Sequence, residues 1–201
     1  MKPEQLEAFS SDMDHKVYKS AGAPYPPIEC ECCGSRAYAL VATKRSWHLW
    51  QCKRCELLFV WPQPDEGFLR KIYRMSVGYY QTAASDLSKT SPNAAIELHG
   101  LLQEAGVSSG RLLDLGCSTG KLIFHLREIG WNVTGCDVNE DAVAIARSNG
   151  LDVSSGYIED IDFEQGHFDV IHMGDVLEHC MSPGRVLERV HSLLNQRGLL
   201  V

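Results

Sequence analysis

Three sets of residues have types and spacing suited to chemistry. Cys30 and Cys33, followed by Cys52 and Cys55, give the pattern C-x2-C-x18-C-x2-C. This is the spacing of a tetrahedral thiolate site for zinc. Cys32 lies between the first two and leaves no second two-residue gap. The second set is Asp114, Gly116, Cys117, Ser118 and Gly120, answered downstream by Asp137 and Val138. A glycine turn bracketed by acids at two strand ends suits a ligand bearing hydroxyls and positive charge. The third set follows an apolar run and comprises Met173, Asp175, Glu178 and His179. His179 offers a group that titrates near neutral pH, so it is a candidate general base; a histidine packed in the following helix is the competing reading.

Elements must position these groups, and the pattern supplies them. Strands are expected over 111–115, 132–137, near Val153 and over 168–173. Helices are expected over 121–129, stopped by Gly130, over 140–148, and from Pro183 to near Leu194. Alternating strand and helix argues for a parallel sheet. Gly198 to Val201 reads as the start of a further strand. Upstream, a helix after Pro92 presents Ala95, Ile96, Leu98, Leu101 and Leu102 as its apolar set, and Asp65 is a plausible cap for a helix over 66–75. The cysteine pairs are expected at opposite ends of a short β-hairpin. The organisation read from the chain is an extended arm over 1–29, a cysteine module over 30–62, a helical connector over 63–107, to which the family resemblance given below adds the part of a cofactor lid, and a binding domain over 108–201.

The glycine turn discriminates between cofactors. Dinucleotide sites use G-x-G-x-x-G, whereas here Asp114 stands just before the first glycine. A pyrophosphate is repelled by that carboxylate; S-adenosylmethionine (SAM), with its sulfonium and ammonium, is not. Asp114-Leu-Gly-Cys-Ser-Thr-Gly120 resembles the first motif, D-x-G-x-G-x-G, of the class I SAM-dependent methyltransferases, with Ser118 in place of the middle glycine. Phe168-Asp-Val-Ile-His-Met-Gly-Asp-Val-Leu-Glu-His179 resembles the fourth strand of the branch that includes ubiquinone-biosynthesis O-methyltransferases. The cysteine module ahead of such a domain resembles bacterial methyltransferases that modify sugars, lipids or secondary metabolites.

The resemblance implies a Rossmann-like α/β sheet preceded by a small β zinc ribbon. It further implies that Asp114 and the turn from Gly116 through Cys117 and Ser118 to Gly120 hold the methionine part of SAM, and that Asp137 with Val138 holds the ribose. Ile158 and Glu159 fall to the adenine edge, and Met173 and Asp175 border the methyl group. Tyr79 and Tyr80 are candidates for a lid over the cofactor, with a core role as the competing reading. Family domains continue through two further strands that help build the acceptor pocket, so the resemblance implies that this chain stops within the domain. The expected activity is methyl transfer to an O or C nucleophile of a small-molecule acceptor. An RNA methyltransferase that docks through the ribbon and a SAM-binding fragment without catalysis are the alternatives.

Composition bounds these readings. The chain has 201 residues, 44% hydrophobic and 22% charged, with a net charge of −7. That suits one domain and a small module. Residues 30–75 carry eight Lys or Arg against four Asp or Glu, so a basic segment is set in an acidic chain; it reads as solvated surface that partly offsets metal-bound thiolates, with steering of an anionic small-molecule acceptor as the alternative. The overall charge argues against nonspecific nucleic-acid binding. With no apolar run of membrane length and no signal-type leader, a cytoplasmic protein with reduced thiols is expected. The sequence leaves the oligomeric state open.

Overall fold

The computed structural model describes residues 26, 28–44, 47–63, 67, 69 and 86–201. The expected arm, the helix over 66–75 and the Tyr79–Tyr80 lid lie largely or wholly outside these residues. The chain divides into two compact units, Met1–Leu69 and Arg70–Val201.

In the first unit, β1 (Tyr38–Lys44), β2 (Trp47–Cys52) and β3 (Leu58–Val60) form an antiparallel sheet in the order β1-β2-β3. Tyr38 pairs with Cys52 and Lys44 with Trp47. The start of β1 therefore lies beside the end of β2, and both cysteine pairs sit at one end of the hairpin. The expectation of opposite ends is corrected: antiparallel pairing folds the two turns together. The small core packs Tyr38 and Trp50 against Cys30 and Cys52, with Phe59 edge-on to Tyr38 at 5.1 Å between ring centres.

The second unit begins its described part with a 3-10 turn (Leu87–Lys89) and α1 (Asn93–Glu104). It continues through β4 (Arg111–Leu115), α2 (Lys121–Glu128), β5 (Asn132–Asp137), α3 (Glu140–Ser148), β6 (Val153–Ser155), β7 (Phe168–His172), α4 (Pro183–Leu193) and β8 (Leu194–Leu200). The five strands pair in parallel in the order β6-β5-β4-β7-β8. Parallel strands buried on both faces need continuous apolar runs, and β4 supplies them, with Leu112 facing one core and Leu113 the other. The first core takes Leu98 and Leu102 of α1, Ile123 and Leu126 of α2 and Val143 of α3. The second takes Val186, Val190 and Leu193 of α4. Each such fully buried aliphatic contributes about 1.5–3 kcal/mol.

α1 buries a narrower stripe than its composition suggests. Ala95, Leu98 and Leu102 are buried, while Ile96 and Leu101 are 59% and 58% exposed. Spacings of three and four keep the buried set on one face, and Ile96 and Leu101 fall off it. β8 pairs in register with β7 through Val170 with Leu199 and Ile171 with Leu200, after an irregularity. Regular pairing thus begins at the segment expected as a strand start.

Candidate functional site

β4 and β7 are neighbours at the centre of the sheet, and the strand order runs outward in both directions from them. Ligands of open α/β sheets bind at the carboxyl ends of the strands at such a switch point. There Asp114 and His172 are register partners. Beyond Asp114 the chain turns through Gly116, Ser118 and Gly120, with φ of 75°, 52° and 79°. Left-handed backbone is open to glycine but costs an L-residue about 1–2 kcal/mol, the cost borne at Ser118. The glycines are also required by packing. A Cβ at 116 would lie 2.5 Å from Val176 Cγ2, and one at 120 would collide with Leu151 of the loop after α3 and with Ala146 of α3 itself. The collision partners are protein atoms, rather than only a ligand.

Asp137, at the end of β5, brackets this turn. Its Oδ2 accepts from the Ser118 N–H and its Oδ1 from the Asn139 N–H, each at 2.8 Å. Asn139 in turn caps α3, accepting from the Asp141 and Ala142 N–H groups. Each carboxylate oxygen keeps a further lone pair, so a vicinal diol can dock without displacing these bonds. The Gly116 and Cys117 N–H groups donate to the Cys136 carbonyl, and Gly120 N–H donates to the Cys117 carbonyl. Four donors of the turn are therefore spent on protein acceptors. A phosphate-binding turn offers such donors to its ligand.

A cavity of about 610 Å³ opens beside the turn. It joins Asp114, Gly116, Cys117 and Ser118 to Ser91, Lys121, His125 and His172, four residues to which the sequence reading gave no role. His172 Nδ1 donates to Asp114 Oδ1 at 2.7 Å. Asp114 is 3% exposed. Burial pushes its carboxyl above the usual range, and the imidazole acts in the opposite direction. His125 is held differently. The Thr90 hydroxyl spends its proton on the Leu87 carbonyl at 2.6 Å, so it accepts from His125 Nε2–H at 2.9 Å. The buried thiols beneath the turn stay protonated, because burial pushes Cys117 up and takes Cys136 to about 12. They serve as small packing groups.

In the first unit, Cys30, Cys33, Cys52 and Cys55 bring their sulfurs within 4.8 Å of one another, and Cys32 is not among them. Cys30 and Cys55 sulfurs are 3.5 Å apart, and those of Cys33 and Cys52 are 3.6 Å apart. A tetrahedron with Zn–S bonds of about 2.3 Å has edges of about 3.8 Å. The donor set therefore fits a four-coordinate zinc, and the sulfurs are too far apart for a covalent bond of about 2.05 Å. Backbone hydrogen bonding from Cys55, and then from Arg54, outweighs burial and draws the Cys52 thiol down to about 6. Gly34 turns at φ 70°, and Arg54 Nη1 donates to the Cys33 carbonyl at 3.2 Å, placing a cation beside the cluster.

The family model described as a methyltransferase domain, Methyltransf_23, matches residues 88–201, more than half of the chain. This chain belongs to the class I SAM-dependent methyltransferases. The methyltransferase is 35% identical over 105 residues to the ubiquinone biosynthesis O-methyltransferase of Pseudomonas aeruginosa (strain UCBPP-PA14), covering 48% of this chain and 44% of that protein. It is 30% identical over 118 residues to the protein of the same name from Colwellia psychrerythraea, covering 55% and 48%. The chain thus spans about half the length of the curated relatives it matches. Among solved structures, the PH0226 protein from Pyrococcus horikoshii OT3 aligns with a TM-score of 0.50 and 26% identity over 61% of this chain and 63% of that one. The [4+2]-cyclase SpnF aligns with a TM-score of 0.54 and 23% identity over 69% and 60%, a likeness of fold alone.

Asp137 and the remaining predicted residues of the methyltransferase domain are not among those lining the cavity. Ile158 buries its side chain in the second core, and its carbonyl faces Arg189 Nε at 3.5 Å; Glu159 is exposed. The Met173 N–H is taken by the Val201 carbonyl at 2.8 Å. Asp175 is exposed at φ 55° in the turn after β7. Val138 is half-buried beside Asp137, and Gly120 is enclosed by α3 and the loop that follows it. His179 is exposed at the end of a 3-10 turn (Leu177–His179), with its N–H on the Val176 carbonyl. No helix among the described residues is long and apolar enough to cross a membrane.

Proposed function

We propose that this chain binds SAM at the carboxyl end of β4 and β5 and transfers its methyl group to an O or C nucleophile of a small-molecule acceptor. The observation that carries this reading is the bracket of Asp137 on a turn four of whose N–H groups already donate to protein acceptors. Such a site suits a ribose diol and a sulfonium, and the buried Asp114 carboxylate beside it disfavours a pyrophosphate. SAM supplies a methyl group on a sulfonium; the acceptor forms the new bond as the carbon–sulfur bond breaks, with the electron pair left on sulfur. The protein's part is to align the two and exclude water. In this reading Asp137 holds the ribose, and the turn from Gly116 to Gly120 fixes the direction of the methionine chain. Ile158 and Glu159 border the adenine, and Met173 and Asp175 border the acceptor side. His179 is the candidate proton acceptor on that side.

The curated relatives named as O-methyltransferases favour a hydroxyl acceptor. We assign Cys30, Cys33, Cys52 and Cys55 to a structural zinc. A closed four-thiolate site has no open position for an acceptor, and Lys53 and Arg54 offset its negative charge. Calorimetry with SAM, its demethylated product S-adenosylhomocysteine and NAD tests the cofactor assignment. Binding of both SAM forms and none of NAD is expected; NAD binding without a response to either SAM form refutes it.

A further inference from the structure

The cavity beside the glycine turn holds one half of a recognition device that the ribose bracket does not use, and its meaning rests on the SAM reading above. Among the described residues lining it, Asp114 is the only acid. Its side chain is 95% buried, and among the described residues no protein donor engages Oδ2. An isolated carboxylate is costly in such a place. Oδ1 is supplied with a donor by His172 Nδ1 at 2.7 Å, across two strands whose register is set by the main chain. The imidazole is confined on its far side as well: a Cβ at Gly174 would lie 2.9 Å from Cε1 and 3.1 Å from Nε2. The Lys121 ammonium and the His125 imidazole, one turn apart on α2, line the same cavity. A carboxylate set near two basic groups matches a zwitterion, and the methionine portion of SAM is one.

We propose that His172 is a positioning residue: its bond to Oδ1 keeps Asp114 aimed so that Oδ2 docks the α-ammonium group of the methionine portion. Without that donor the buried carboxyl loses the neighbour that favours its charged form. Its attraction for a cation then falls. An asparagine at 172 presents an N–H from the same side-chain position as Nδ1, so it retains the function where an apolar residue does not.

The test compares S-adenosylhomocysteine with 5′-methylthioadenosine, which keeps the adenosyl thioether and lacks the amino-acid group. Both are titrated calorimetrically into the full chain and its variants. The wild-type protein is expected to prefer S-adenosylhomocysteine by roughly tenfold or more, the range of a charge-assisted hydrogen bond. His172→Leu should lose that preference while binding 5′-methylthioadenosine as before, and His172→Asn should restore it. An unchanged preference in His172→Leu overturns the proposal, as does an equal loss of both ligands, which marks a purely structural role. Should His172→Leu fail to fold, His172→Asn against Asp114→Asn decides: the first must keep the preference and the second lose it. A wild-type protein that binds both ligands equally refutes the ammonium dock alone, and one that binds neither removes the SAM reading with it.

Discussion

Replacing Asp137 by asparagine is the sharpest perturbation of the cofactor bracket, because it keeps the shape and removes half of the chemistry. The carboxylate only accepts, and it accepts one N–H on each oxygen, from Ser118 and from Asn139. An asparagine has one acceptor oxygen, so its amide nitrogen must face one of those two donors. One charge-assisted bond is lost, worth about 1.5–3 kcal/mol, and the other is weakened. The half-buried site lets water recover part of this, leaving a net loss of roughly 1–2 kcal/mol in the ligand-free protein. At about 2–4 °C per kcal/mol for a chain of this size, Tm should fall by roughly 2–8 °C. The same carboxylate is assigned the ribose, so affinity for S-adenosylhomocysteine should fall by about tenfold or more. Far-UV circular dichroism reads the first effect and calorimetry the second. An Asp137→Asn protein with the parent's Tm and the parent's affinity refutes both the bracket and the ribose assignment.

Two further outcomes concern the cysteine cluster and the far end of the sheet. Elemental analysis should give one zinc per chain, and Cys52→Ser should lose the metal; full retention would show that the ligands are others. At the amino ends of β4 and β7, burial would raise the Asp169 carboxyl. The Arg111 N–H at 2.7 Å, the Arg111 guanidinium and Asn195 outweigh it and hold the carboxyl below its ordinary value of 3.8. A depressed carboxylate stabilises the fold above its unfolded pKa and stops doing so as pH falls through its folded one. The stability difference between wild type and Asp169→Asn, read by urea unfolding, should therefore be full at pH 7 and shrink below about pH 4; an equal difference at both ends sinks this account.

Local chemistry made much of the sheet legible. The strands at Arg111–Leu115 and Asn132–Asp137 and the helix at Glu140–Ser148 occupy the expected spans, because glycines, caps and apolar runs mark their ends within a few residues. The four-cysteine cluster was legible for the same reason: two short gaps confine four sulfurs once the strands between them pair. What escaped depends on register. His172 is an unremarkable polar residue at the end of an apolar run until the parallel ladder sets it opposite Asp114, 58 positions away. Nothing in the local sequence encodes that offset. Lys121 and His125 likewise read as helix surface until α1 and the turn close a cavity around them. On α1, Ile96 and Leu101 were assigned by type, whereas burial followed angular position.

The contact between Gly116 and Val176 has a practical consequence for altering this protein. Met173 and Asp175 are assigned above to the acceptor side, which makes the turn of residues 173–176 an obvious place to vary in search of new acceptors. Val176 rests on the bare Cα of Gly116, with no space between them for a methyl group. A bulkier residue at 176 whose added atoms point at Gly116 pushes the glycine turn, and with it the Ser118 N–H that Asp137 holds. Libraries that diversify this turn should therefore spare position 176, since selectivity and cofactor retention are mechanically inseparable there. Gly174 is closed for a similar reason, since a Cβ there would press on His172, and Met173 packs against the second core, which leaves the exposed Asp175 as the position of this turn to vary.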